Sequence, residues 1–491
     1  MSTTTSLPNP LSTPGVYIQE IPVLPASIVS VPTAVPVFVG YTAIAQEVSP
    51  KDLLTTPFKI DNILEYQQYF GGAYPETGIS VNIDTSGPTP VSTPSVIAAS
   101  ASKYQMFYAL QMYFANGGGS CYIFSVGLYN TADAVINLSD YMVSGVFRPE
   151  IEQYVDITLV VCPDALGMSS GTDYYALQSG VIAHCAKLQN RMAVMDVYRN
   201  PNYTWQQDVA ALRNGDTHPT NKVTGLNVQL PENWKYAAVY FPRILTDISY
   251  SFQNKDVKVN IVNGATVLSS TNLDSLKGVN SQQYFSALNA INNNLEMLLP
   301  AAPAMVGVYA AVDNASGVWT APANVGIVNA LDLEVQVSSF DQGEYLNIDP
   351  FTGLSVNAIR SFPGRGSAIV WGARTLAGND NEWRYIPVRR FFFMVEQSVK
   401  NAIEPFVFAA NDSNTWTRVK AMISNYLTEQ WKQGALAGTT AKEAFYVNVG
   451  LGVTMSDLDI WEGRMIVQIG MAVVRPAEFI ILQFLQMMQT S

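Results

Sequence analysis

The chain is poor in the side chains that metal sites and acid–base catalysis use most. Its 491 residues include two histidines and three cysteines, and no two cysteines form a CxxC pair. Without a third histidine or a cysteine cluster, no zinc-ligand set is available, and we expect no metal. Cys121, Cys162 and Cys185 each lie in an apolar run, which predicts buried thiols in a reducing compartment.

Charge is also scarce, since only 13% of the residues are charged and the formal net charge is −12. An acidic chain binds phosphate backbones poorly, so we expect no nucleic-acid partner. Residues 1–355 carry 14 Lys and Arg against 28 Asp and Glu, whereas residues 356–491 carry 13 against 11. This asymmetry predicts a solvent-facing acidic part and a near-neutral part that packs against other protein.

Long apolar runs are missing as well. The chain has no stretch of about 18 uncharged apolar residues, so we expect no direct membrane insertion. Residues 1–14 lack the basic start and the apolar core of a signal peptide. We therefore expect a protein that is made in the cytoplasm and leaves it only as part of a particle released by lysis.

Motifs for nucleotide or acyl chemistry are absent too. The run at residues 117–120 lacks the GK[ST] of a phosphate loop, and no G-x-S-x-G occurs, so we expect no cofactor. Two carboxylates remain as catalytic candidates, because Asp164 and Asp196 follow or end predicted parallel strands. The alternative interpretation is that each one caps the next helix.

What the chain does have is a mixed α/β pattern. Predicted strands at 157–162, 192–197 and 236–241 alternate with helices at 173–189 and 205–212, which indicates a parallel sheet. Further patterns predict short strands at 27–30 and 35–40, a surface loop at 86–95, helices at 388–408 and 414–432, and strands at 444–449 and 465–473.

Two apolar strand-forming segments have no hairpin partner beside them in the sequence. One follows a Ser/Thr/Pro-rich stretch and precedes an extended linker at residues 22–25, and the other lies at residues 478–484. An unpaired strand is a liability in a monomer but suits addition to the sheet of a neighbour. We predict inter-subunit linkage through Val16, Tyr17, Ile18, Gln19, Glu20, Ile21, Phe479, Ile480, Ile481, Leu482, Gln483 and Phe484.

Several segments together resemble the contractile tail sheath proteins of phages and of phage-tail-like injection systems. The clearest are Trp-Arg-Tyr-Ile-Pro-Val-Arg-Arg at residues 383–390 and Pro-Ala-Glu-Phe-Ile at residues 476–480. The other similar segments are residues 14–21, 31–40, 114–122, 307–310, 317–324, 356–360, 370–376, 408–416, 431–436 and 443–447. Residues 247–276 carry no motif of the family.

The resemblance implies a discontinuous core domain, built from both chain ends, with an α/β domain inserted and facing outward. We assign residues 1–25 to an N-terminal arm, 26–60 and 356–474 to the core, 61–355 to the insertion and 475–491 to a C-terminal arm. The implied function is a non-enzymatic subunit of a sheath that polymerises around an inner tube in a bacterial cytoplasm and contracts. Implied partners are copies of the chain itself, the tube protein, and baseplate and terminal cap proteins.

We further predict that the helix at 414–432 contacts the tube through Arg418, Lys420, Asn425, Glu429 and Lys432, with a solvated face as the alternative. Two other functions stay open at this point. One is a cytoplasmic α/β enzyme that uses Asp164 and Asp196, and the other is a non-contractile, self-assembling tube protein.

Overall fold

The computed structural model describes residues 28–96, 102–129, 135–215, 225–226, 231–479 and 481. These residues form two compact units. The larger unit comprises residues 30–397 together with the described residues from 473 onward, and the smaller unit comprises residues 28–29 and 398–472.

The described strands are β1 (Pro36–Thr42), β2 (Phe58–Ile60), β3 (Ile79–Asp84), β4 (Val91–Val96), β5 (Cys121–Leu128), β6 (Met142–Val143), β7 (Val146–Phe147), β8 (Leu159–Val161), β9 (Met192–Asp196), β10 (Ala237–Phe241), β11 (Ile244–Thr246), β12 (Lys258–Asn263), β13 (Thr266–Asn272), β14 (Met297–Leu299), β15 (Ala330–Leu333), β16 (Asn357–Phe362), β17 (Gly366–Val370), β18 (Phe445–Asn448) and β19 (Gln468–Met471). The described α-helices are α1 (Ile63–Phe70), α2 (Met106–Ala115), α3 (Leu138–Tyr141), α4 (Gly171–Leu188), α5 (Trp205–Asn214), α6 (Leu273–Val279), α7 (Ser281–Asn294), α8 (Ala301–Ser316), α9 (Ser339–Asp341), α10 (Ile386–Ile403), α11 (Ser413–Lys432), α12 (Ala441–Ala444) and α13 (Asp457–Trp461).

An eight-stranded sheet forms the centre of the larger unit, in the order β17-β16-β10-β9-β8-β1-β5-β2. The strands from β16 to β5 run parallel, and β17 and β2 pair antiparallel at the two ends. Val37, Phe38 and Val39 are successive residues of β1 and all have no exposed surface. Because successive side chains point to opposite faces, both faces of the sheet are covered. This confirms the predicted mixed α/β class.

A second, smaller core lies in the same unit. The four-stranded sheet β13-β12-β3-β4 packs against α6 and α7, and its buried residues include Val81, Val259, Leu273 and Tyr284. The stretch at 247–276, which carries no recognised motif, supplies β12 and β13 to this small sheet.

Most strand and helix predictions are confirmed within a few residues, and two are wrong. Residues 91–96 form β4 instead of a surface loop, because an edge strand tolerates Pro94, which has no backbone N–H. Residues 28–30 form no strand, since the structure leaves them as irregular backbone. The helix predicted for 388–408 ends at Ile403, and a short 3₁₀ turn that contains Pro405 follows it.

The two units do not follow the predicted boundaries after residues 60 and 355. Strands β1 and β16 hydrogen-bond into one sheet with β5, β8, β9 and β10, so both boundaries fall inside the larger unit. How the chain divides functionally in an assembled particle stays a prediction.

The smaller unit is built around α11, whose buried face packs against the two-stranded sheet β18–β19 through β18. Val419, Ile423 and Leu427 recur at helical spacing and have no exposed surface, and Val447 of β18 is also buried. The strands predicted at 444–449 and 465–473 are thereby confirmed as an antiparallel pair.

Candidate linkage sites between subunits

The described part of the C-terminal arm is attached to the larger unit by an ion pair. Arg374 Nε donates to Glu478 Oε1 at 2.8 Å, and Arg374 Nη2 donates to Glu478 Oε2. The Tyr385 hydroxyl donates to Oε2 of the same carboxylate at 3.2 Å. The two described residues that follow this attachment are exposed, Phe479 by 73% and Ile481 by 82%. Two large apolar side chains thus lie in solvent directly after the ion pair.

Ten of the twelve predicted linkage residues lie outside the part of the chain that the structure describes. Val16, Tyr17, Ile18, Gln19, Glu20 and Ile21 lie outside the described residues, as do Ile480, Leu482, Gln483 and Phe484. Their role therefore stays a prediction.

The β18–β19 sheet offers a site for added strands. Its register pairs Phe445 with Met471 and Val447 with Ile469, and within the described residues no further strand joins either side. Ala472 N donates to Ala444 O, so this pair is hydrogen-bonded across the ladder. Pairs alternate in an antiparallel ladder, so the backbone groups of 445 and 447 point outward on one edge and those of 469 and 471 on the other.

The ends of the eight-stranded sheet are less open. Beyond β17, Asn324 N donates to Val370 O and Ile327 N donates to Ala368 O, so residues 324–327 cover that edge. At the opposite end, β2 has only three residues, which limits the hydrogen bonds that an added strand can form. Of these two sheets, β18–β19 is therefore the better candidate acceptor, because no described strand covers either of its edges.

The predicted tube-contact residues all lie on exposed positions of α11, but they do not share one face. At about 100° per residue, one stripe within an arc of about 60° holds Arg418, Asn425, Glu429 and Lys432. Lys420 lies about 150° around the helix from the middle of this stripe. Within the stripe, Lys432 pairs with Glu429 at 2.9 Å, and the Arg418 guanidinium lies 5.6 Å from the centre of the Phe406 ring.

Asp164 is committed to a structural role. Its carboxylate is fully buried and accepts hydrogen bonds from the backbone N–H groups of Tyr41 at 2.7 Å, Gln105 at 2.5 Å and Met106 at 2.9 Å. Helix α2 has no side-chain cap of its own, so Asp164 caps it from another segment. Burial raises the pKa of Asp164 to about 7, and the three N–H donors oppose that rise.

Asp196 caps a different helix in the same way. It accepts from Ala301 N at 2.7 Å and Ala302 N at 3.2 Å, at the start of α8, where Pro300 provides no side-chain cap. Burial raises the pKa of Asp196 to about 7 as well. Both carboxylates therefore cap helices, but the prediction that each one caps the next helix is wrong, because Asp164 caps α2 and Asp196 caps α8. Each one serves a different helix, and the two do not form a shared catalytic site.

The described ranges contain no candidate for a membrane span or a metal site. None of the helices there is long and apolar enough to cross a membrane. Among the same residues, no three His, Cys, Asp or Glu side chains are grouped so that they could hold a metal ion.

The buried arginines that attach the two ends of the larger unit were not predicted from the sequence. Arg374 is 4% exposed and Arg390 is 3% exposed, and each binds a carboxylate that is distant in the sequence. Arg390 and Tyr385 belong to the recognised segment at residues 383–390. The arginines of this segment were the only sequence signal for these ion pairs. Periodicity does not show which Asp or Glu side chains the arginines bind.

An open sheet and an exposed apolar arm are typical of structural proteins that assemble with further copies. Comparisons with known proteins identify the class more closely. The family described as phage tail sheath C-terminal domain matches residues 378–486. The tail sheath protein of Vibrio phage KVP40 is 25% identical over 175 residues, which cover 35% of this chain and 25% of the phage protein. The chain thus aligns with about a quarter of that relative.

Solved structures extend the match over nearly the whole chain. A chain of the anti-feeding prophage baseplate is 30% identical, with a TM-score of 0.61, and the match covers 97% of this chain and 99% of the other. A chain of the contracted PVC sheath complex, from an extracellular contractile injection system, is 29% identical with the same TM-score over 97% and 98%. The protein belongs to the contractile tail sheath family.

Proposed function

We propose that this chain is the repeating subunit of a contractile sheath, which polymerises helically around an inner tube and drives the tube through a target envelope. The relatives are sheath proteins of contractile systems, and one of them is a chain of a helical sheath in the contracted state. This favours a contractile subunit over an α/β enzyme or a non-contractile tube.

The observation that carries the proposal is the pair of open edges on β18–β19. Residues 16–21 of one subunit and residues 479–484 of another would add to the two sides of this sheet in a third subunit. Each edge presents two outward N–H groups and two outward C=O groups, so an added strand would gain about 2–6 kcal/mol from backbone hydrogen bonds. Burial of apolar arm side chains such as Phe479 would add to this.

The chain would act without catalysis. Asp164 and Asp196 are fully engaged in helix capping, which leaves neither carboxylate free for a substrate. Contraction would instead draw on a difference in buried surface between two assembled states, with the extended state trapped kinetically. Assembly in a bacterial cytoplasm on a baseplate, with a cap protein at the far end, completes the proposal.

Electron microscopy of the purified chain tests this function. We expect striated tubes without any added nucleotide or metal, because the links consist of the chain itself. A discrete small oligomer at every protein concentration would contradict the proposal.

The stripe of α11 that contains Arg418 and Lys432 is the proposed contact with the inner tube, because both cations are exposed and lie on one face of the helix, about 21 Å apart along its axis. The double variant R418E/K432E should weaken co-sedimentation of sheath with tube by about tenfold, since reversal of two interfacial charges replaces attraction by repulsion. K420E/K442E, which reverses two exposed charges away from this stripe, is the matched control and should bind as the natural chain does. Equal loss in both variants would show that net charge matters and this stripe does not.

A further inference from the structure

The pair between Arg374 and Glu478 is unusual because one partner is buried while the other begins an exposed arm. The Arg374 side chain is 5% exposed and that of Glu478 is 28% exposed. Arg374 also donates from Nη1 to Gly378 O at 2.9 Å, and its backbone N donates to Asn357 Oδ1 at 2.7 Å. The Arg374 guanidinium is therefore fixed within the larger unit by its own contacts. The Glu478 carboxylate, at the start of the exposed residues, binds to this fixed guanidinium.

The geometry of this pair favours a fixed attachment over a loose surface contact. A bidentate guanidinium–carboxylate pair holds both partners in one plane. Loss of the carboxylate would leave a buried guanidinium without its counter-ion, which is strongly unfavourable. Arg475 adds a weaker tie, since its Nη1 donates to Asn381 O at 2.9 Å in an exposed position.

The start of the described chain is attached in the same way. Arg390 Nη1 donates to Asp313 Oδ1 at 2.9 Å, and Arg390 Nη2 donates to the Thr33 carbonyl oxygen at 3.0 Å. The Thr33 hydroxyl donates to Asp313 Oδ2 at 2.5 Å. Arg390 lies in the second turn of α10, and Tyr385 directly precedes that helix. One short segment therefore contacts both Thr33, near the start of the described chain, and Glu478, near its end.

We propose that Arg374 is a positioning residue, which anchors the C-terminal arm to its own subunit at Glu478 so that residues 479–484 leave the body at a fixed point. This inference rests on the proposed function, because the arm is taken to end in the sheet of a second copy of this chain. The anchor would set the length of the free connection between two subunits.

The anchor would keep the connection between two subunits short and of fixed length. With the anchor in place, the linking strand begins one residue after Glu478. Release of the anchor would free residues 476–478 as well, since Arg475 keeps its own bond to Asn381, and three extended residues span about 10 Å. A longer tether lowers the effective concentration of an attached strand at its acceptor and lets the spacing between subunits vary.

The test compares Glu478→Gln with Glu152→Gln in the full-length chain. Glu152 makes a two-oxygen contact with Lys187 at 2.8 and 2.7 Å, far from either arm in the sequence, and serves as the matched control. We expect E478Q to raise the critical concentration for polymerisation about tenfold and to lower the melting temperature of the unassembled protein by a few degrees, because Arg374 loses its counter-ion. E152Q should change neither quantity.

The mobility of the arm in the unassembled protein provides a second, independent measurement. A nitroxide label on the exposed position of A477C, beside the anchor, should give a sharper electron paramagnetic resonance spectrum with E478Q than without it, because the anchor no longer holds the arm. If E478Q polymerises as the natural chain does and the label is equally mobile with and without E478Q, the anchor is refuted while the sheath function stands. If the natural chain itself forms no polymer, the proposed function fails instead, and the label still decides whether Glu478 holds the arm.

Discussion

A chain that lacks residues 1–21 should fold normally but lose the ability to polymerise. The deletion removes all six predicted linkage residues of the N-terminal arm, and it ends before the first described residue, Ile28. The described contacts of the larger unit, including the tie between Thr33 and Asp313, remain intact. We expect an unchanged melting temperature and a monomer by analytical ultracentrifugation at concentrations where the full chain forms tubes.

Deletion of residues 1–13 alone is the matched control for this experiment. It shortens the chain at the same end but keeps the predicted strand at 16–21, so polymerisation should persist. If the chain without residues 1–21 still forms normal tubes, the N-terminal arm does not link subunits.

A single proline in β19 should have an effect of similar size. The backbone N–H of Ile469 points to the outer edge of β18–β19, away from β18. Ile469→Pro removes this donor and places a ring where an added strand would lie, while an edge strand tolerates proline. We expect the critical concentration for tube formation to rise at least about tenfold, with at most a small fall in the melting temperature.

Ile469→Ala is the control, because it removes the same side chain and keeps the N–H. Its tubes should form at nearly the concentration that the natural chain needs. Equal defects in both variants would mean that the side chain of Ile469 matters and the edge does not accept a strand.

Local patterns predicted the larger unit well because its signals are short-range. Strands β8, β9 and β10 are buried apolar runs, and segments with helical periodicity lie between them. This alternation indicates a parallel sheet without any knowledge of contacts. The sheet order was not predictable in the same way. Strand β1 lies between β5 and β8, and its neighbours follow it by more than 80 residues in the sequence.

The candidate sites were also predictable only where local sequence pattern determines them. The exposed positions of α11 follow from helical period alone, although the separate orientation of Lys420 appears only when the angles are compared. The role of Asp164 depends on the start of α2, and the partner of Glu478 is Arg374, more than 100 residues away. Such pairings are set by tertiary packing, which no local pattern contains.

The central claim is that the arms of two subunits complete the small sheet of a third. A cryo-electron microscopy reconstruction of the assembled tube tests it most directly, through the backbone trace around β18 and β19. The account predicts a four-stranded sheet, in which residues 16–21 and 479–484 come from two other subunits. Arms that fold back onto their own subunit, with both edges of β18–β19 left unpaired, would contradict it.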